Sequence, residues 1–262
     1  MPNRIPKRLL ALLFGTAALA SLSAQTPLRV AAAADLEPVL PPILAAFQQA
    51  AGIRAEATFQ ASAMLATQIQ NGAPFDLFLS ADLGYPKRLI DAGLADAAGT
   101  ADSSTPIVYA RGTLVLWARK DSPLHPPSLD LLRSPALKRL AVANPDRAPY
   151  GRAAVAALTS LKLYDTLKPR LVTAENISQT AQFVDSGNAD AGLISLTSAL
   201  TPRLAADGSY FVIPRELYPP IEQGAVLVSN TKQRAQVHRL LDYLLSAPVQ
   251  AQLAKSGLTP VH

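Results

Sequence analysis

A short apolar run between two turns constrains the fold of this chain most. The run Asp-Leu-Phe-Leu-Ser at 76–80 follows a Gly-Ala-Pro turn at 72–74 and leads into a Ser-Ala-Asp turn at 80–82. A run this short, apolar on both faces, is typical of a central strand in a parallel sheet that helices cover on both sides. Strand and helix patterns alternate around it from Leu28 to Gly93. The sequence therefore predicts an α/β fold with an open, mostly parallel sheet.

A second series of alternating strand and helix patterns runs from about residue 139 to residue 195. Extended segments near 108–119 and 218–229 connect it with the first series. Two such series, connected twice, predict two lobes joined by a two-strand hinge, and the length of the chain suits two domains of ordinary size. The predicted division is a first lobe of residues 25–108 and 222–262 and a second lobe of residues 109–221.

The first 24 residues are typical of a secretory signal peptide. Arg4, Lys7 and Arg8 precede an apolar stretch at 9–22, and small residues follow it. This arrangement predicts export and cleavage near Ala24. The apolar stretch is short for a membrane span, so a membrane anchor is the less favoured alternative. We expect the mature protein, without this segment, in the periplasm.

Charge and cysteine content limit the classes of partner. The chain has 24 Lys and Arg against 19 Asp and Glu, and only 21 of the basic residues remain after the leader is removed. Without a basic stripe, the sequence predicts no nucleic-acid partner. The chain has no cysteine, so its stability must come from an apolar core, which 262 residues can supply. We expect a freely diffusing monomer.

Ser62 lies where a predicted strand at 53–59 gives way to an amphipathic helix. The free N–H groups and positive dipole end of a helix N-terminus make an anion site, to which a serine hydroxyl can add a donor. The alternative interpretation is that Ser62 only caps the helix. The local pattern alone leaves both interpretations open.

The strand, the turn with Ser62, the helix and the block Gly-Ala-Pro-Phe-Asp-Leu-Phe-Leu-Ser-Ala-Asp at 72–82 together resemble the periplasmic molybdate-binding proteins of ABC importers. The resemblance runs from about Leu28 to the C-terminus. It implies a two-lobe periplasmic-binding-protein fold and a protein that binds molybdate or tungstate, uses no cofactor and delivers its ligand to ABC permease membrane subunits. Another small oxyanion, such as sulfate or phosphate, is the alternative ligand.

The resemblance also implies where the ligand binds. The positions that match the family are Asp35, Ser62, Tyr150 and Ile177, in four turns that would converge between the lobes. Hydroxyl and backbone N–H groups there would bind the oxygens of the anion, with no direct protein ligand to the metal. Ile177 would offer only its N–H. Tyr150 has the alternative of packing within its own lobe.

Two positions depart from the family pattern: Asp35 stands where many members carry serine, and Ser195 stands where some carry tyrosine. An ionised Asp35 cannot donate a hydrogen bond, and it would oppose a negative charge at about 4 Å by about 1 to 4 kcal/mol. Its carboxylate could turn away and cap its own backbone, or it could accept a proton from a protonated ligand. We favour the first interpretation.

A secreted serine hydrolase that uses Ser62 is the alternative from a different class. Ser62 is not in a G-x-S-x-G turn, and the histidines, His125, His238 and His262, lie in a proline-rich loop, on a C-terminal helix and at the last residue. No histidine spacing predicts a metal site, and no phosphate-binding loop is present. The sequence therefore predicts a binding protein and not an enzyme.

Overall fold

The computed structural model describes residues 26–97 and 104–261. The predicted signal peptide, 1–24, lies outside the described residues, and so does His262. The strands are β1 Leu28–Ala33, β2 Ala55–Gln60, β3 Leu77–Ser80, β4 Ala95–Asp96, β5 Ile107–Gly112, β6 Leu114–Arg119, β7 Leu140–Ala143, β8 Leu171–Ala174, β9 Ala191–Ser195, β10 Gly208–Val212 and β11 Ile221–Val228. The helices are α1 Leu40–Ala51, α2 Ser62–Gln70, α3 Gly84–Asp91, α4 Pro149–Ser160, α5 Tyr164–Leu167, α6 Ile177–Asp185, α7 Leu196–Ala199, α8 Pro202–Asp207, α9 Arg234–Leu245 and α10 Ala247–Lys255.

The strands form two sheets, one in each lobe. The first has the order β2-β1-β3-β11-β4, with β5 also paired to β11, and the second has the order β10-β6-β9-β7-β8. The chain passes to the second sheet between β5 and β6 and returns between β10 and β11. The hinge therefore consists of two neighbouring crossings, at residue 113 and at residues 213–220. The finer division of the lobes at residues 108 and 222 stays a prediction.

The two sheets are more mixed than the sequence predicted. Parallel pairing joins β1 with β2 and β3, and it joins β7 with β8 and β9. The strands next to the crossings pair antiparallel with their neighbours, as β11 does with β3 and β5 and as β6 does with β9 and β10. Parallel neighbours need a crossover connection, which the helices between these strands supply. Strand β11, which returns from the other lobe, instead enters the first sheet antiparallel to β3 and β5.

The block at 72–82 has the central place that its pattern predicted. Strand β3 lies between β1 and β11, and all four of its residues are buried. Helix α2 and helix α3 flank this strand in the sequence and pack against each other. The end of β3 therefore meets the turn that begins α2, which places the last residues of the block beside Ser62.

One apolar cluster extends across the cleft between the lobes. On the side of the first lobe it consists of small residues at the ends of strands, Ala33, Ala34, Ala61 and Ala81. On the other side it includes the apolar face of α4 and three of the four residues of β7, Leu140, Val142 and Ala143. Small side chains allow the two lobes to approach closely, so the structure has its lobes in contact. None of the helices in the two described ranges is long and apolar enough to cross a membrane.

A β-bulge interrupts the hinge strand β5 at Tyr109. Gln223 of β11 is paired with Ala110 and the next residue, Gly224, is paired with Val108, which leaves Tyr109 as the extra residue. A bulge re-aims the side chain of the residue it inserts. The Tyr109 side chain is buried here, with an exposed fraction of 1%.

The C-terminal segment is fastened to the same hinge strand. Thr259 and Arg111 exchange two backbone hydrogen bonds, of 2.9 and 2.8 Å. The buried Gln250 donates from Nε2 to the carbonyl of Tyr109 at 3.1 Å, and its Oε1 accepts the N–H of Val261 at 3.2 Å. A side chain of α10 therefore joins the bulge to the end of the chain.

Candidate functional site

The four residues predicted from the sequence, Asp35, Ser62, Tyr150 and Ile177, line one small cavity between the lobes. The volume of the cavity is about 10 Å³. Gln60, Asn176 and small apolar residues complete the lining, which contains no lysine or arginine. Asp35 is therefore the one carboxyl group in a cavity lined otherwise by neutral residues.

Ser62 is the first residue of α2, and its side chain is buried. Its Oγ accepts the N–H of Ala81 at 3.1 Å, a bond from the 72–82 block that fixes the hydroxyl. Because the oxygen accepts there, the hydroxyl hydrogen is free to donate into the cavity. The N-cap position belongs to Ala61, which makes no side-chain capping bond. The interpretation of Ser62 as a helix cap is therefore wrong.

The first residues of three helices, α2, α4 and α6, line the cavity. The first N–H groups of a helix have no acceptor within the helix. Tyr150 is the second residue of α4, after Pro149, and Ile177 is the first residue of α6. Asn176 caps α6 by accepting the N–H of Gln179 at 2.9 Å, which leaves the N–H of Ile177 outside the cap.

Tyr150 lies in a helix, although the sequence predicted a turn over 146–151. Proline at the first helical position begins α4 early, since its fixed φ suits a helix start. Gly151 permits this start, because a Cβ there would lie 2.3 Å from the carbonyl oxygen of Ala143. The backbone of α4 thus reaches the end of β7 and the cavity.

The Tyr150 side chain crosses between the lobes. Its hydroxyl donates to Asp35 Oδ2 at 3.1 Å. Gly112 at the hinge crossing admits the ring, because a Cβ on Gly112 would lie 2.2 Å from the Tyr150 hydroxyl. The interpretation that Tyr150 packs only within its own lobe is therefore wrong. Burial, followed by the negative charge of Asp35, raises the pKa of Tyr150 well above its usual value.

Asp35 is completely buried in a 3-10 turn at Ala34–Leu36. Its Oδ2 accepts from the Tyr150 hydroxyl and from Gln223 Nε2, whereas its Oδ1 has no hydrogen-bond partner. Its backbone carbonyl accepts from Thr197 Oγ1 at 2.8 Å. Burial raises the pKa of Asp35 to about 6, although hydrogen bonds from Gln223, Tyr150 and its own backbone act in the opposite direction.

We call the buried group of Asp35, Tyr150, Gln223 and Tyr109 the base cluster. Gln223 and Tyr109 were not predicted from the sequence. A glutamine inside the apolar strand β11 was the available signal, since a buried amide needs partners. The Tyr109 hydroxyl and Gln223 Oε1 also have no hydrogen-bond partner.

Ser195 does not line the cavity, and its hydroxyl bonds with Ser198 and Thr197, both at 2.9 Å.

A second set of contacts joins the lobes at the outer edge of the cleft, and we call it the rim contact. Arg152 of α4 pairs with Asp82 and donates to the Tyr85 hydroxyl at 3.3 Å. Tyr85 in turn donates to the carbonyl of Asp146 at 3.2 Å. The backbone N–H of Ala63, in α2, donates across the cleft to the Arg147 carbonyl at 3.2 Å.

Comparison with known proteins identifies the family. A family model described as bacterial extracellular solute-binding protein matches residues 28–259. The chain belongs to this family. The molybdate-binding protein ModA of Azotobacter vinelandii is 36% identical to this solute-binding protein over 230 residues, which are 88% of each chain. ModA of Rhodobacter capsulatus is 34% identical over 213 residues, which are 81% of this chain and 80% of that one.

Solved structures agree with the two-lobe fold. The periplasmic molybdate-binding protein of Azotobacter vinelandii matches the solute-binding protein with a TM-score of 0.82 and 29% identity, over 90% of this chain and 100% of that one. The sulfate-binding protein SubI of Mycobacterium tuberculosis H37Rv matches with a TM-score of 0.76 and 18% identity, over 90% and 87% of the two chains. At that identity the second match shows the fold alone. The predicted family resemblance and α/β two-lobe fold are confirmed.

Proposed function

We propose that this solute-binding protein binds molybdate or tungstate in the cavity between its lobes and delivers the anion to the membrane subunits of an ABC permease. The names of its relatives in Azotobacter vinelandii and Rhodobacter capsulatus support this ligand. The observation that carries the proposal is the convergence of three helix N-termini and the Ser62 hydroxyl on one small cavity without a cation.

Neutral donors suit a tetrahedral dianion. The Ser62 hydroxyl and the backbone N–H groups of Ser62, Tyr150 and Ile177 would each donate to an oxygen, and the protein would not contact the metal directly. A hydrogen bond to a charged oxygen contributes roughly 1.5–3 kcal/mol. The partial positive charge of each helix N-terminus adds to the attraction without a fixed counter-ion.

Ligand contacts from both lobes would drive closure. Ser62 belongs to the first lobe, and Tyr150 and Ile177 belong to the second, so an anion bound by all three favours the closed arrangement. A ligand shifts a two-state equilibrium only by its difference in affinity for the two states. Closure about the two hinge crossings then presents a continuous two-lobe surface to the permease. A periplasmic monomer released by cleavage near Ala24 fits this role.

Calorimetric titration of the ligand-free protein with molybdate, tungstate, sulfate and phosphate tests the ligand. We expect molybdate or tungstate to bind most tightly and, at 100 times its dissociation constant, to stabilise the fold by roughly 2.7 kcal/mol in a thermal melt. Ser62→Ala should weaken binding by roughly 10- to 150-fold, because one donor to a charged oxygen is lost.

Thr67→Ala is the matched control, because the exposed Thr67 hydroxyl, also on α2, donates to the Ala63 carbonyl within the helix and not into the cavity. We expect its affinity to stay close to the wild-type value. A melting shift with sulfate or phosphate alone would assign the protein to the alternative ligand. An unchanged affinity in Ser62→Ala would remove Ser62 from the site.

The serine hydrolase has little support in the contacts of Ser62. The Ser62 hydroxyl accepts the N–H of Ala81, while His125 contacts Ser209 and His238 lies on α9. Within 26–97 and 104–261, no three His, Asp or Glu side chains are grouped to hold a metal ion. Covalent labelling of Ser62 by a fluorophosphonate would reinstate the hydrolase.

A further inference from the structure

We propose that Asp35 takes up one proton when the anion binds, and that its neutral carboxyl group then donates a hydrogen bond to the anion through Oδ1. This inference rests on the proposed function, because it assigns Asp35 as the residue that makes oxyanion affinity depend on pH. It departs from the expectation that the carboxylate turns away from the ligand, because Asp35 lines the cavity and its Oδ1 has no partner. The Gln223 amide and the Tyr150 hydroxyl are positioning groups, since they act through Asp35, whereas the Tyr150 N–H contacts the anion.

The hydrogen bonds of the carboxyl group indicate which oxygen carries the proton. Oδ2 already accepts two donors, the Tyr150 hydroxyl and Gln223 Nε2. Oδ1 is buried without a partner, on a residue that lines the cavity. A buried polar atom without a partner costs free energy, and a proton on Oδ1 converts it into a donor for an anion oxygen. The protonated carboxyl group would then have both of its oxygens in hydrogen bonds.

The groups that face Asp35 are all neutral. They are Tyr150 from α4, Tyr109 from β5, Gln223 from β11, Thr197 from α7 and Gln60 from β2. The neighbouring carboxylate, Glu37, bonds with Ser178 of α6 at the exposed mouth of the cleft. The lining therefore offers no cation to balance an ionised Asp35 beside a dianion.

The charge balance favours proton uptake. An ionised Asp35 and a dianion would place three negative charges in one buried cavity, whereas a proton from the solvent reduces this to two and supplies a donor. Like charges close together raise the pKa of a carboxyl group. In the closed arrangement burial raises the pKa of Asp35 to about 6 even though its hydrogen bonds lower it, and a bound dianion raises it further.

The sign of the pH dependence follows from this direction. A carboxyl group whose pKa is higher in the closed, liganded state than in the open state favours the liganded state at low pH, and this advantage is lost as the pH rises through the higher pKa. One coupled proton changes the dissociation constant by up to about tenfold per pH unit. The pH range over which affinity falls begins near the usual pKa of aspartate, 3.8, and extends through and above 6.

Molybdate titrations between pH 5 and pH 8 test the inference. Dilute molybdate stays a dianion in this range, so its own protonation does not contribute. We expect wild-type affinity to fall by at least about tenfold from pH 5 to pH 8. Calorimetry in buffers of different ionisation enthalpy should show proton uptake on binding.

Asp35→Asn is the decisive variant. The amide keeps an oxygen for Tyr150 and Gln223 and gives the anion a permanent N–H donor. We expect its affinity to vary less than about twofold over the same pH range, with no proton uptake, and to exceed that of wild type at pH 8. Glu37→Gln is the matched control, a nearby carboxylate outside the cavity, and it should keep the wild-type pH dependence.

The inference would be overturned, while the proposed function stands, by wild-type affinity that is constant with pH or by a pH dependence that Asp35→Asn retains. Loss of binding in Asp35→Asn at every pH, with wild-type circular dichroism, would also overturn it. Absence of molybdate binding by the wild type at any pH would overturn the proposed function and this inference with it.

Discussion

The base cluster and the rim contact both join the two lobes through an acidic residue, yet their surroundings differ. Asp35 is completely buried, and its partners are neutral. In the rim contact, the Asp82 side chain is 20% exposed and its partner Arg152 is 43% exposed. The same residue type is therefore a titratable group in the interior and half of an ordinary ion pair at the edge.

The difference indicates where closure derives its specificity. Water and salt weaken an exposed ion pair, whereas a buried carboxyl group must find hydrogen bonds or a proton. The rim contact can hold the lobes together whatever occupies the cavity. The base cluster adjoins the cavity, so its free energy depends on the charge of the solute.

Gln223→Leu should have the largest effect on stability in this comparison. The change leaves Asp35 Oδ2 with one hydrogen-bond donor, which destabilises the fold. It also removes the Gln223 amide oxygen, which has no partner, and this partly offsets the loss. We expect the free energy of unfolding at pH 8 to fall by about 1.5 kcal/mol. In an Asp35→Asn background the same change should cost less. Urea denaturation of the four proteins gives the coupling energy, and a coupling near zero would contradict a direct role for Gln223 at Asp35.

Tyr150→Phe tests the one side-chain bond of the base cluster that crosses the cleft. Both Gln223 and Asp35 belong to the first lobe, so this variant affects closure more than folding. We expect molybdate affinity to fall by roughly fivefold, or about 1 kcal/mol, through loss of one hydrogen bond in the closed state. Calorimetry measures this fall in affinity. A melting temperature that falls without any change in affinity would instead make Tyr150 a purely structural residue.

Arg152→Ala should have the smallest effect. An exposed ion pair contributes up to about 1 kcal/mol, so affinity should fall by at most about fivefold at low salt. At 1 M salt, where the screening length is about 3 Å, the difference from wild type should disappear.

Arg88→Ala is the matched control for the rim contact. Both arginines lie over the Tyr85 ring, with the guanidinium carbon of Arg152 at 5.4 Å and that of Arg88 at 5.0 Å from its centroid. Arg88, however, belongs to α3 in the same lobe as Tyr85. Its affinity should match the wild type at both salt concentrations. A loss in Arg152→Ala that persists in 1 M salt would show that the two regions are not distinguished by exposure.

Local pattern was sufficient to predict most elements and the walls of the cavity. Ser62 and Ile177 follow strands and begin amphipathic helices, so their positions depend on residues within one turn. The base cluster could not be predicted from local pattern, because its contacts join residues that are far apart in the sequence. Gln223 reaches Asp35 from 188 residues away, and the bulge at Tyr109 beside it has no local turn residue to indicate it.

Exposure explains the other omissions. Strand β10 was not predicted, because the exposed face of this edge strand carries apolar residues, Tyr210 and Val212 (40% and 44% exposed), so apolar and polar residues do not alternate along it. Asp82 and Arg152 are separated by 70 residues, and each alone is typical of a solvated surface. Pairings over such distances become visible only once the two sheets are placed side by side.

The attachment of the C-terminal segment to the hinge strand decides how the protein should be immobilised. Thr259 pairs with Arg111 one residue before the crossing glycine, so a surface tether after Val261 would pull on the pivot itself. The start of β1 lies at the other end of a six-residue strand from the turn that holds Asp35, roughly 20 Å away. Sensor chips and fluorescent fusions that report lobe movement should therefore be attached on the N-terminal side of β1.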